Sequence, residues 1–227
     1  MKSIPVIAID GPSGTGKGTI ARLVAEKLGW HLLDSGALYR LLAVAARERG
    51  VGFENEAELA ALAPAMDIRF EMAADGGERI FLGEIEVTDR VRAETTGADA
   101  SIVAVLPAVR EALVQRQRDF RKSPGLVADG RDIGTAIFPD AEVKIYLTAS
   151  AEARAQRRHK QLKRKENDAS LGALFREISE RDVRDSSRKA SPLRPADDAV
   201  VIDTTELDIA GVLDRVFAVV RKHFPEA

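Results

Sequence analysis

Gly11-Pro12-Ser13-Gly14-Thr15-Gly16-Lys17-Gly18-Thr19 is the stretch on which the reading of this chain turns. The apolar run Ile4-Pro5-Val6-Ile7-Ala8-Ile9 precedes it, and Ile20, Leu23, Val24 and Leu28 follow at i, i+3, i+4 and i+8. A buried strand, a glycine-rich loop and an amphipathic helix, in that order, are the setting of a P-loop. Gly11, Gly14 and Gly16 permit backbone angles and close approaches that a Cβ would forbid. Successive N–H groups can then line a nest for phosphate oxygens at the positive end of the following helix. Lys17 adds a point charge within reach of the β- and γ-phosphates. The usual pattern places Ser or Thr directly after the lysine. Here Gly18 stands there and Thr19 comes one later, which weakens the case for direct hydroxyl contact with Mg²⁺. The plainer alternative is an ordinary glycine-rich βα turn. Three glycines, the lysine and both flanking elements together favour the phosphate cradle.

The chain has 227 residues, enough to bury a sizeable core as one large α/β domain with insertions or as two small domains. Its composition, 45% hydrophobic and 31% charged, is that of a soluble globular protein. A net charge of −2 gives no global electrostatic case for nucleic acid. Without any Cys, thiol nucleophiles, disulfides and Cys-based metal sites are excluded. The N-terminal apolar run is too short and too lightly charged for a signal peptide, and no stretch approaches the roughly 20 apolar residues of a membrane span. The expected location is the cytoplasm.

Strands alternating with helices predict a mostly parallel sheet covered on both faces. Residues 4–9 read as the first strand, 19–28 as a helix stopped by Gly29, and 30–34 as a second strand. Asp34 or Ser35 is placed to cap the helix opening at Ala37-Leu38-Tyr39-Arg40. Ligands in open α/β sheets bind beyond the carboxyl ends of strands, which is where Ser35 and Arg40 fall. Taken alone, both read as a plain cap and a solvated charge. Residues 38–49 and 56–63 read as helices. Asp67–Met72, Arg79–Leu82 and Glu84–Val87, with a turn at Gly76-Gly77, predict a three-stranded antiparallel meander. Residues 92–105 are weakly helical. Residues 108–121 are strongly so beyond Pro107, with Val109, Leu113 and Phe120 on one face; Ser101 and Arg110 flank the break and read as solvated.

Gly125-Leu126-Val127-Ala128-Asp129-Gly130 reads as a central strand ending in an acid, with Arg131-Asp132 and then Gly134 beyond it. An acidic strand end of this kind orients Mg²⁺ or its waters in many P-loop proteins. An Asp–Arg turn is the plainer reading. Residues 143–147 and 200–203 are further strands, Ser150 caps a helix from Ala151, and 208–222 close the chain with Ile209, Val212, Leu213, Val216, Val219 and Val220 inward. Residues 151–194 carry thirteen Lys and Arg against seven Asp and Glu, a local balance of +6. A polar break, Lys165-Glu166-Asn167-Asp168, separates two helical parts. On the second, Arg181, Arg184, Asp185 and Arg188 are spaced to share one face. Guanidinium forks match phosphate geometry, so beside a P-loop this face reads as an arginine lid rather than a solvated face.

Together, IDGPSGTGKGT at 9–19, LLDSGALYR at 32–40, ADGRDIGT at 128–135 and RDVRDSSR at 181–188 resemble the bacterial cytidylate kinases of the nucleoside-monophosphate kinase group, over nearly the whole chain. The meander is similar to the insertion typical of that type. The resemblance implies a P-loop kinase fold as a single domain of residues 1–227. Its core is about 1–36, 104–150 and 196–227, its nucleoside-monophosphate-binding insertion about 37–103, and its lid about 151–195. It implies transfer of the ATP γ-phosphoryl to CMP or dCMP by direct in-line displacement. Gly11, Pro12, Ser13, Gly14, Thr15, Gly16, Lys17, Gly18 and Thr19 would hold the ATP phosphates, with Arg157 and Arg158 in reach of ATP. The Gly18-Thr19 ending matches this family. Ser35, Arg40, Ser101, Arg110, Arg131, Asp132, Arg181, Asp185 and Arg188 would bind CMP. Of these, Ser101, Arg110 and Asp132 would read cytosine, and Asp185 with Arg181 would meet the sugar. Lys17, Arg131, Arg181 and Arg188 would be catalytic. Mg²⁺ would ride on the nucleotide without a direct protein ligand, held through water by Asp129. The expected partners are small nucleotides, with no nucleic acid and no membrane, and the expected state is a monomer. Two rivals stand beside this: a P-loop kinase for uridylate or a coenzyme precursor, and a nucleotide switch, for which no N-K-x-D guanine-reading motif is present.

Overall fold

The structure, a computed structural model, describes residues 3–72, 78–163 and 170–226. It divides into two compact units, one of residues 1–34 and 118–227 and the other of Ser35–Gln117.

The first unit is built on a parallel sheet. β1 (Val6–Asp10), β2 (His31–Asp34), β6 (Leu126–Gly130), β7 (Val143–Thr148) and β8 (Val200–Asp203) lie in the order β2-β6-β1-β7-β8. β1 is the middle strand and buried at every position, as a strand covered on both faces must be. β6, read from sequence as central, is interior but lies one place towards the β2 edge. α1 (Lys17–Leu28) and α9 (Ile209–His223) pack on the sheet. Ile7, Ile9, Ile20, Val24, Val127, Ile145, Leu147, Val212, Val216, Phe217 and Val220 form the core there. Each such side chain, fully buried, contributes roughly 1.5–3 kcal/mol.

Several local expectations shift. α1 starts at Lys17, two residues early, because left-handed Gly16 ends the loop there; Gly29, also left-handed, stops the helix. Ile209 is 55% exposed rather than inward, since it is the first residue of α9 behind the Asp208 cap. Phe217 takes the inward place instead. After β6 the chain forms a π-helical turn, Ile133–Ile137, which nothing in the periodicity announced. α7 (Ala151–Lys163) and α8 (Leu171–Ser186) pack through Ala155, Leu162, Leu174 and Ile178. Ser150 caps α7 by accepting from the Ala153 amide at 3.1 Å. The polar break at Lys165–Asp168 lies outside the described residues, as does the turn at Gly76-Gly77.

The second unit centres on α2 (Ser35–Glu48), whose Leu38, Leu41, Leu42, Val44 and flanking alanines are buried. A helix apolar on most sides must be enclosed. α3 (Glu56–Ala65), α4 (Thr88–Arg92) and α5 (Glu94–Val103) do this around it, and α6 (Pro107–Arg118), ending at the boundary of the unit, touches it at Tyr39 and Ser35. β3 (Ile68–Met72), β4 (Glu78–Leu82) and β5 (Ile85–Glu86) form an antiparallel sheet in sequence order, the expected meander. The weakly helical stretch 92–105 is mainly α5, separated by extended Ala93 from α4, which lies just before it. Among the described residues no helix is long and apolar enough to cross a membrane.

Candidate active site

The loop at the end of β1 has the left-handed backbone that its glycines allow. Gly11, Gly14 and Gly16 have φ of 150°, 82° and 91°. At Gly11 the need is steric as well, because a Cβ would lie 2.1 Å from the Leu147 carbonyl oxygen of β7. Lys17 is buried and folds back over the loop, its Nζ donating to the Pro12 carbonyl at 3.2 Å. The Thr15 hydroxyl donates to the same oxygen at 3.1 Å. Thr19 is exposed.

Parallel register brings three acids together at the carboxyl ends of the strands. Asp34 is level with Asp129, and Asp129 with Ile9, one residue before Asp10. Burial pushes the Asp129 carboxyl up, and Asp34 adds to this. Burial pulls the Lys17 ammonium down, helped by Arg131. Burial likewise raises Asp10, to about 6, against two backbone hydrogen bonds that lower it. The site is therefore a desolvated set of opposite charges, in which field strength is high and ionisation is set by neighbours.

On α8, Asp185 is 0% exposed and gathers three guanidiniums. Arg131 Nε donates to it at 2.9 Å, Arg188 contacts its other oxygen, and Arg181 Nε lies 4.0 Å away. Burial alone would raise this carboxyl, but Arg131, Arg188 and Arg181 outweigh it and hold it below the usual range. The structure thus brings Arg131, Arg181, Asp185 and Arg188 together. It corrects one detail, for α8 ends at Ser186 and Arg188 reaches Asp185 from beyond the helix. Asp132 is buried at the start of the π turn.

In the second unit, the sequence readings of Ser101 and Arg110 as solvated are wrong. They are 1% and 6% exposed, because α5 packs on α2 and α6 meets it through Arg110 at Tyr39 and Gln117 at Ser35. Arg110 donates to the Ala104 carbonyl at 3.1 Å and stands 5.9 Å from the Tyr39 ring centre. Arg40 is no solvated charge either. It donates to the Val91 and Ala93 carbonyls at 3.1 and 3.2 Å and lies close against Gly97. Ser35 is the first residue of α2, and its hydroxyl donates to Gln117 at 2.6 Å.

Arg157 is turned to the loop after β8, donating to the Thr204 hydroxyl at 3.0 Å and to the Thr204 carbonyl. Arg158 donates to Gln161 at 2.9 Å. Arg154, which the sequence pattern counted without assigning a task, touches the P-loop. It donates to the Ser13 carbonyl at 3.0 Å and to both oxygens of Asp182 on α8. Its place in the first turn of α7, following a strand end, was the available signal. Asp10, ending the strand before the loop, was also passed over.

The residues present fit ATP with Mg²⁺. The loop has the left-handed glycines of an anion nest and a buried lysine. Asp129 Oδ1 is buried with no hydrogen-bond partner among the described residues, and Oδ2 lies 3.9 Å from where a Cβ on Gly18 would stand. A buried unpartnered carboxylate oxygen beside the cradle suits a hydrated divalent cation.

Comparison with known proteins agrees. The family model described as cytidylate kinase matches residues 7–222. A cytidylate kinase of Pseudomonas aeruginosa (strain UCBPP-PA14) is 60% identical over 216 residues, 94% of each chain. One of Stutzerimonas stutzeri (strain A1501) is 58% identical over 219 residues, 96% of each. By sequence match across nearly its whole length, and with the loop and arginine cluster in place, the chain belongs to the cytidylate kinase family.

Proposed function

We propose that this protein is an ATP:(d)CMP phosphotransferase, moving the γ-phosphoryl of ATP to CMP or dCMP to give ADP and (d)CDP. The observation that carries the reading is the buried Lys17 in a left-handed glycine cradle, in a chain that matches the cytidylate kinase model over residues 7–222. In the reaction the bond between the γ-phosphorus and the β–γ bridging oxygen breaks as one forms to an oxygen of the acceptor's α-phosphate. The acceptor is already an anion, so the step needs no general base and no covalent enzyme intermediate. The protein's part is positioning and electrostatics.

Residues 11–19 hold the donor phosphates, with Arg157 and Arg158 on the donor side. Lys17, Arg131, Arg181 and Arg188 neutralise the transferring charge. Ser35, Arg40, Ser101, Arg110, Arg131, Asp132, Arg181, Asp185 and Arg188 bind the acceptor, Ser101, Arg110 and Asp132 at the base. Mg²⁺, when bound, neutralises phosphate charge, and Asp129 is the residue that would hold it through water. Asp185 has a second effect before any acceptor arrives. It keeps like-charged guanidiniums close together, so they need little rearrangement to meet a phosphate.

The test is coupled ADP release with Mg·ATP and, in parallel, CMP, dCMP, UMP, AMP and shikimate. Turnover confined to CMP and dCMP is expected. Turnover with another acceptor instead would keep the phosphoryl chemistry and overturn the base-reading set. Turnover with none of them would overturn the kinase assignment.

A further inference from the structure

Asp10 ends β1, is 5% exposed, and has no task in the reaction as described. Its Oδ1 accepts from the Ile133 amide at 2.9 Å and its Oδ2 from the Gly134 amide at 2.8 Å. These are the first two residues of the π turn, directly after Arg131-Asp132. A turn at this point leaves amides without partners of their own. Asp132, the adjacent residue of capping type, makes no capping bond to them. The cap comes instead from a strand 123 residues away. The fit is close, since a Cβ on Gly134 would stand 3.5 Å from Asp10 Oδ2 and 3.2 Å from the Lys144 methylenes. Lys17, Asp132 and Asp129 act on Asp10 electrostatically, and Tyr146 is its neighbour in register on β7.

We propose that Asp10 is a positioning residue for the acceptor-side turn, its carboxylate fixing the two amides that set the direction in which Arg131 and Asp132 leave β6. Arg131 makes the consequence visible. Its guanidinium meets Asp185 at 2.9 Å and the Gly130 carbonyl at 3.2 Å, both of which require the 130–134 backbone to hold one course. An asparagine in place of Asp10 keeps one acceptor but turns an NH₂ towards the second amide. A glutamate is one methylene too long for the gap. The inference rests on the reading of Arg131 and Asp132 as acceptor-side residues.

The experiment compares Asp10→Asn with Arg131→Met by steady-state kinetics in CMP and in ATP. Asp10→Asn is expected to lower kcat/KM for CMP by about 10- to 100-fold, the penalty of a slightly misplaced group. KM for ATP should stay within about twofold, because uniform donor binding is untouched. An equal rise in KM for ATP would place the effect in the adjoining Gly11 loop and overturn the proposal; so would unchanged kinetics. If Arg131→Met loses CMP turnover and Asp10→Asn does not, positioning by Asp10 is wrong and the acceptor reading stands. If Arg131→Met leaves CMP kinetics unchanged, the acceptor reading of this turn is wrong and the inference goes with it. Hydrogen exchange on the unmodified protein gives a result even if the variant does not fold. The Ile133 and Gly134 amides must exchange slowly, and fast exchange at both overturns the clamp.

Discussion

Lys17 shows how a residue can serve the site at the expense of the fold. Its ammonium is depressed by burial and by Arg131, so at neutral pH the charged form is less comfortable folded than unfolded. Lys17→Met is therefore expected to lower kcat by at least about 100- to 1,000-fold, as loss of a preorganised charge does. The thermal midpoint should stay level or rise; a large fall would mean that Lys17 supports the fold. Asp10 carries the opposite sign in pH. Its carboxyl moves from 3.8 to about 6, so its stabilising contribution is complete below the unfolded value and is lost as pH rises through about 6. At 1.36 kcal/mol for each pKa unit, that is about 3 kcal/mol. Asp129 shifts the same way and Lys17 the other way, so the whole-protein curve mixes them. Asp10→Asn isolates one contribution. From about pH 4 to about pH 7 the variant's thermal midpoint should gain on the parent's. A constant gap across that range would contradict the assignment.

At the scale of elements, the loop is held by what surrounds it. β7 presses its Leu147 carbonyl where a Cβ on Gly11 would go, and the backbone there is left-handed. Gly11→Ala should destabilise the protein by at least about 3 kcal/mol, with a fall in thermal midpoint of about 10 °C for a chain of this size. A midpoint within a degree or two of the parent would show that β1 and β7 can separate there. Arg154 ties three elements together: the loop through Ser13, the chain just past β7 through Ala149, and α8 through an ion pair with Asp182. Buried and with its guanidinium partnered in this way, Arg154 serves as a joint between these elements.

Across the whole molecule, charge is unevenly distributed. The chain is −2 overall while residues 151–194 are +6. Excess positive charge in one segment attracts nucleotide anions and is weakened by salt. KM for both ATP and CMP should rise from low to physiological and then high ionic strength. The thermal midpoint should change little, because the Asp185 and Arg154 pairs are buried and poorly screened. KM values indifferent to salt would remove long-range attraction from the account. The division into two units has its own logic. The parallel sheet buries its faces under α1 and α9, whereas Ser35–Gln117 encloses α2 and needs no strand of the larger sheet.

Much of this was legible in the sequence because the signals were local. Glycines at 11, 14 and 16 with Lys17, strands alternating with helices, and the meander between 67 and 87 each follow from neighbours along the chain. Sequence spacing also placed Arg181 and Asp185 four apart on one helix face, where the structure finds them 4.0 Å apart. What escaped depended on contacts remote in sequence. The burial of Ser101 and Arg110 is set by α5 packing on α2 and by Arg110 standing against Tyr39, and their own windows carry no sign of it. Arg154 looks like one more base in a basic helix until Ser13 and Asp182 are brought to it. The π turn and its cap require Asp10 and Gly134 to meet across 124 positions. The sequence by itself determined the loop, its chemistry and the parallel α/β class, since these rest on short-range backbone preference and periodicity. Only the tertiary structure decided which charges are buried and what partners each one finds, because desolvation and pairing are properties of the packed molecule.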